Sequence, residues 1–166
     1  MRFDLKKFYD EANGPKQLDF EVDMSAMDLP GFALSAPAKC SFSAVPTRFG
    51  MELELSVQAD VSAECARCLA PVKENYSFAR SWQLKESDLG SEEFELPCDD
   101  KGCLDLDELA FQELVFEVPM VLLCSADCQG LCPICGKKKA AGCSCQQAED
   151  AAPVDARLSI LKQLLN

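Results

Sequence analysis

No histidine occurs anywhere in the 166 residues. That absence removes Ser–His and Cys–His nucleophilic pairs and every acid–base mechanism that turns on an imidazole. Neither G-x-x-x-x-G-K-[ST] nor G-x-G-x-x-G occurs, so no nucleotide-binding fingerprint points to an enzyme. Long apolar runs are missing too. The longest, at residues 118–123, falls far short of the roughly 18 residues a membrane span needs. The opening 14 residues alternate charged with apolar side chains and lack the apolar core of a secretory signal. The expectation is therefore a cytoplasmic protein with no membrane partner. Bases are scarce, 16 against 28 acids, for a net charge of −12. Naked nucleic acid as the sole ligand is disfavoured, because binding phosphates takes a basic patch. The only compact one is Lys137, Lys138 and Lys139.

The acidity is concentrated. Residues 86–117 carry 12 acids and one base, so this one stretch holds nearly all the net charge. Charge runs usually solubilise a surface. The sharper alternative is a docking surface for a basic partner.

Hydrophobic periodicity divides the chain. Met51, Leu53, Leu55, Val57, Ala59 and Val61 alternate with Glu52, Glu54, Ser56, Gln58 and Asp60, the period of a half-buried strand. Tyr76, Phe78, Trp82 and Leu84 share one parity in a second run, and CARCLAP between the two predicts a hairpin tipped by a Cys-x-x-Cys turn. Cys40, Phe42 and Ala44 mark another strand, and residues 18–22 one more. Residues 84–102 read as an acidic loop. A helix follows, with Asp105 and Glu108 as a capping box, an apolar stripe of Ala110, Phe111, Leu114, Val115 and Val118, and Pro119 as its stop. Beyond the polar stretch 146–153, Asp155 caps a short terminal helix carrying Leu158, Leu161 and Leu165 on one side. The fold class expected is α+β: an antiparallel sheet or partly open barrel packed by one helix, then a cysteine-rich zinc-binding segment and a short terminal helix. The corresponding domains are 1–119, 120–146 and 147–166.

The chain has 11 cysteines, an odd number that sits badly with a fully paired disulfide framework. In a reducing compartment, clustered thiols more often bind metal. Eight fall into close pairs: Cys65/Cys68, Cys124/Cys128, Cys132/Cys135 and Cys143/Cys145. Four pairs of thiolates match two tetrahedral zinc sites of four sulfurs each, with at least one such site expected. Spacing favours joining Cys132/Cys135 to Cys143/Cys145, which leaves Cys65/Cys68 to meet Cys124/Cys128. The competing arrangement exchanges Cys124/Cys128 with Cys143/Cys145. A zinc ion closed by four cysteines has no open position, which argues for a structural metal and against catalysis. The rival use of the same thiols is an iron–sulfur or thiol redox protein. Cys40, Cys98 and Cys103 are most simply small buried or incidental thiols.

In order along the chain, CARCLAPV, LDLDELAFQELVFEVPMVLLC, CQGLCPICG, CSC and DARLSILKQLL resemble the bacterial YceD family, over about residues 31–165. The resemblance implies a non-enzymatic factor supporting accumulation of large-subunit (23S) ribosomal RNA, and hence ribosome assembly. It departs from the family at Asp155-Ala156-Arg157, where Asp-Pro-Arg is frequent, and at Lys137, Lys138 and Lys139, where asparagine is common. Some members lack the later cysteine pairs, which makes Cys65/Cys68 the more central. The partners expected are a large-subunit precursor and a basic ribosomal protein or assembly factor, docked by the acidic segment. Arg67 and the three lysines are candidates for ribosomal RNA contact, or the lysines simply offset the charge of a four-thiolate zinc.

Overall fold

In the computed structural model the described residues are 1–10, 14–85, 88, 96–99, 101–139, 143 and 145. The chain divides into two units, Met1–Ala126 and Asp127–Asn166. The first unit holds seven strands and two helices among the described residues: β1 (Arg2–Asp4), α1 (Leu5–Asp10), β2 (Lys16–Val22), β3 (Phe32–Leu34), β4 (Ala38–Thr47), β5 (Gly50–Glu64), β6 (Pro71–Leu84), β7 (Cys103–Asp105) and α2 (Leu106–Glu117). The class is α+β with antiparallel sheets. The expected terminal helix at 155–165, the linker at 146–153, and Glu92, Glu93, Glu95 and Asp100 of the acidic segment lie outside the described residues.

β5 organises the main sheet. Its alternating apolar residues, Met51, Leu53, Leu55, Val57, Ala59 and Val61, are all buried, while Glu52, Glu54, Gln58 and Asp60 face solvent. β6 pairs with it from Met51↔Leu84 to Glu64↔Pro71. Along its other edge lie β4, opposite residues 50–58, and β3, opposite residues 61–63. β2 pairs outside β4. The sheet is open rather than barrel-like, with β2 and β6 at its margins among the described residues. One face is apolar and the other polar, as one-sided antiparallel sheets require. The β4–β5 turn is tight, closing at Thr47↔Gly50. A side chain at Gly50 would meet the Leu84 carbonyl oxygen at 1.9 Å, so this close approach of β5 to the end of β6 demands glycine.

Two small elements cover the apolar face. Phe3 of β1 meets Phe42 edge-on at 5.1 Å and Phe8 of α1 at 5.5 Å. Helix α2 begins where expected: the Asp105 carboxylate accepts from the backbone N–H groups of Asp107 and Glu108. Its own N–H donates to the Pro97 carbonyl, so Glu108 does not complete a reciprocal box. The buried face of α2 is Leu106, Leu109, Ala110 and Leu114, whereas Phe111 and Val115 are half-buried. The apolar stripe is thus rotated from the one expected. The reason is Arg80 of β6, which stands on the sheet's inner parity and ties Glu113 and Glu117 toward the sheet at 3.4 and 2.6 Å. Val118 ends the helix in an extended conformation, as the residue before a proline must.

Candidate metal centre

The six residues 65–70 turn β5 into β6. The Cys65 N–H donates to the Ala70 carbonyl, and the Leu69 N–H donates back to the Cys65 carbonyl at 2.9 Å. Leu69 adopts a left-handed φ of 56°, rare for a branched residue, and its side chain is 61% exposed. The Ala66 N–H donates to the Leu122 carbonyl at 2.9 Å, which ties this tip to the segment leaving α2. Cys68 Sγ and Cys124 Sγ stand 3.5 Å apart. Cys65 and Cys68 are buried, Cys128 is half-buried and Cys124 is exposed.

A second turn repeats the device in Asp127–Asn166. Here the Gly136 N–H donates to the Cys132 carbonyl at 2.8 Å, and the Cys132 N–H donates to the Lys137 carbonyl at 2.7 Å. Leu131 and Lys138 form an antiparallel bridge that holds the turn. Gly136 has φ of 68°, the same left-handed position that Leu69 occupies in the first turn. Cys135 Sγ and Cys143 Sγ are 3.5 Å apart.

The eight thiols gather as two groups, Cys65, Cys68, Cys124, Cys128 and Cys132, Cys135, Cys143, Cys145, each with its sulfurs within 4.8 Å of one another. Either could hold a metal ion. Tetrahedral zinc with Zn–S bonds of about 2.3 Å sets its sulfurs roughly 3.8 Å apart, so both groups fit that geometry. The electrostatics fit as well. The Cys124 N–H, aided by those of Arg67 and Cys68, brings the Cys65 thiol down to about 6. The N–H groups of Cys135 and Ile134 do the same for Cys132, also to about 6. Without a cation the crowd cannot ionise together: Cys145, hydrogen-bonded among Cys143 and Cys135, is pushed up to about 12. A dication reconciles the four charges.

The other three cysteines stay apart from both groups. Burial pushes the Cys40 thiol up to about 12, with Asp107 adding to it. Cys98 and Cys103 are half-buried and flank the turn at Asp99. One feature had no legible signal: Leu69 at the hairpin tip, Phe116 near the end of α2, and Met120 and Val121 just after it are all exposed.

Sheet, helix and thiol groups together define a small α+β protein built around cysteine knuckles able to hold metal. The chain belongs to the YceD family: the model of "Large ribosomal RNA subunit accumulation protein YceD" matches residues 53–165. Uncharacterized proteins of Mycobacterium bovis and of two strains of Mycobacterium tuberculosis are 33% identical over 85 residues. That match covers 49% of this chain and 41% of each relative, so it spans less than half the length of those proteins. No solved structure matches the chain. No helix among the described residues is long and apolar enough to cross a membrane.

Proposed function

We propose that the chain is a non-enzymatic, cytoplasmic ribosome-assembly factor that supports accumulation of large-subunit ribosomal RNA, with a zinc ion in each of its thiol groups. The observation that carries the assembly role is the family match over residues 53–165. The metal serves shape: four thiolates leave zinc no open position, so each ion clamps chain segments and activates no water. Cys65, Cys68, Cys124 and Cys128 hold one ion, and Cys132, Cys135, Cys143 and Cys145 the other.

The partner is a basic ribosomal protein or assembly factor on the large-subunit precursor. Supporting this are the net charge of −12 and the exposed apolar residues Leu69, Phe116, Met120 and Val121. Contact with ribosomal RNA falls to Arg67 and to Lys137, Lys138 and Lys139. Depletion of the protein is expected to lower the ratio of large to small ribosomal subunits in sucrose gradients and to lower mature large-subunit RNA. An unchanged ratio would remove the assembly role. Elemental analysis is expected to give two zinc ions per chain, whereas a brown preparation containing iron would favour an iron–sulfur or redox protein using the same cysteines.

A further inference from the structure

β6 is a long outer strand. Its 14 residues pair with β5 along one edge, and among the described residues no strand pairs with the other. Such an edge is a template for a further strand. The apolar face runs out to it: Tyr76, Phe78 and Trp82 are half-buried, although their neighbours on β5, Ala59, Val57 and Leu53, are buried.

We propose that the chain dimerises by pairing β6 antiparallel with β6 of a second copy, with Ser77 opposite Ser77 on the two-fold axis. The inference goes beyond the assembly role and does not depend on it. A two-fold axis normal to the sheet keeps the apolar faces of both copies on one side, so residues of equal parity must oppose each other. Only registers centred on a single residue satisfy this. Centring on Ser77 sets Glu74 opposite Arg80, Tyr76 opposite Phe78 and Val72 opposite Trp82. Charge meets opposite charge, aromatic meets aromatic, and apolar meets apolar. Centring on Phe78 sets Glu74 against Trp82 and Tyr76 against Arg80. Centring on Tyr76 sets Glu74 against Phe78 and Val72 against Arg80. Both leave Glu74 opposite an aromatic ring, and only the Ser77 register of the three sets a cation across from it. Arg80 already lies over the Phe78 ring, at 5.3 Å, and Glu74 accepts from the Tyr76 hydroxyl at 2.8 Å. Both charged groups share the apolar-face parity of β6, and Arg80, bonded to Glu113 and Glu117, would take Glu74 of the second copy as a further partner.

Ser77 is exposed on the solvent face, so substituting it leaves the monomer core intact. Sedimentation of the full, metal-loaded chain across the micromolar range is expected to show twice the 18.2 kDa chain mass. Ser77→Lys sets two like charges face to face and should weaken the dimer roughly fivefold, as should Ser77→Glu, while an equimolar mixture of the two restores it. Asn75→Lys, which would face Ala79, should change little. A chain that stays monomeric overturns the proposal, and so does a dimer indifferent to Ser77→Lys. Exchange protection of β6 amides appearing only when another protein is added assigns the edge to a foreign strand and equally overturns self-pairing.

Discussion

Replacing Cys65 and Cys68 together by serine removes half of the first thiol group from the β5–β6 tip. A metal ion there would hold Cys68 beside Cys124, 56 positions along the chain. In the second group the matching approach, Cys135 to Cys143, spans eight positions. A clamp that closes a loop restricts the unfolded chain by an amount growing with the logarithm of loop length. The estimate is about 4 kcal/mol for the first loop and about 2.5 kcal/mol for the second. The sheet should therefore lose about 4 kcal/mol in Cys65→Ser/Cys68→Ser, a large share of the roughly 5–15 kcal/mol of a typical domain. Trp82 is the only tryptophan and sits half-buried on β6, so its fluorescence reports this unit alone. Thermal unfolding followed at Trp82 in zinc-containing buffer is expected to shift down by roughly 12–20 °C. Cys132→Ser/Cys135→Ser should likewise cost one metal ion per chain, counted by elemental analysis. A Trp82 midpoint moved by less than about 3 °C in Cys65→Ser/Cys68→Ser protein verified to have lost one ion would mean that no such clamp stabilises the sheet.

Gly50→Ala forces a methyl group onto the Leu84 carbonyl, so the β5–β6 end must part. The expected cost is about 2–4 kcal/mol by urea denaturation, with Ala44→Gly, which removes a methyl in the same sheet, as a milder comparison. Burial holds Cys40 near 12, against about 9 for an ordinary thiol, so it carries roughly a thousandfold less thiolate at neutral pH. Being buried as well, it should alkylate more slowly than the half-buried Cys98 and Cys103 in native protein, as mapped by mass spectrometry, and should react normally once unfolded. The Asp99 carboxylate accepts N–H bonds from Cys103 and Lys101, which with Arg2 lower its pKa. Its stabilising contribution is complete above the ordinary carboxylate range and is lost as pH falls through the lowered value. Asp99→Asn should therefore flatten the acid limb of the stability–pH curve while leaving the shape of that curve above about pH 6 as it is in the parent chain.

The long strands were legible because period two survives in them over many residues. In β5 the alternating apolar positions from Met51 to Val61 are all buried, and the matched run of β6 pairs with it residue for residue. β1, β3 and β7 have three residues each, and α1 has six, too few for any period to emerge. Their burial comes from Phe3, Leu5, Phe8 and Phe32, aromatic and aliphatic side chains whose partners are distant in the chain. The start of α2 was written in Asp105, but its rotation was not. That depends on Arg80 pulling Glu113 and Glu117 inward, a contact between side chains more than 30 positions apart. Cysteine spacing pointed to the thiol groups because short Cys-x-x-Cys turns are local. The meeting of Cys65/Cys68 with Cys124/Cys128 is not local, and rests on how the hairpin tip lies against residues 122–124.

The two turns also differ in a way that bears on function. Both close by an N–H donated to the carbonyl of the first cysteine from the residue following the second, and both require that residue to be left-handed. Gly136 adopts the conformation freely, whereas Leu69 bears a cost of roughly 1 kcal/mol. Burial offsets little of that, since the side chain is mostly exposed. A strained, exposed leucine serves packing poorly and serves an apolar contact well. Leu69→Gly separates the two roles. It should leave the Trp82 unfolding midpoint unchanged or raised, because strain is relieved, while weakening capture of the proposed basic partner from cell extracts. A variant that is destabilised and binds as before would assign Leu69 to the fold alone.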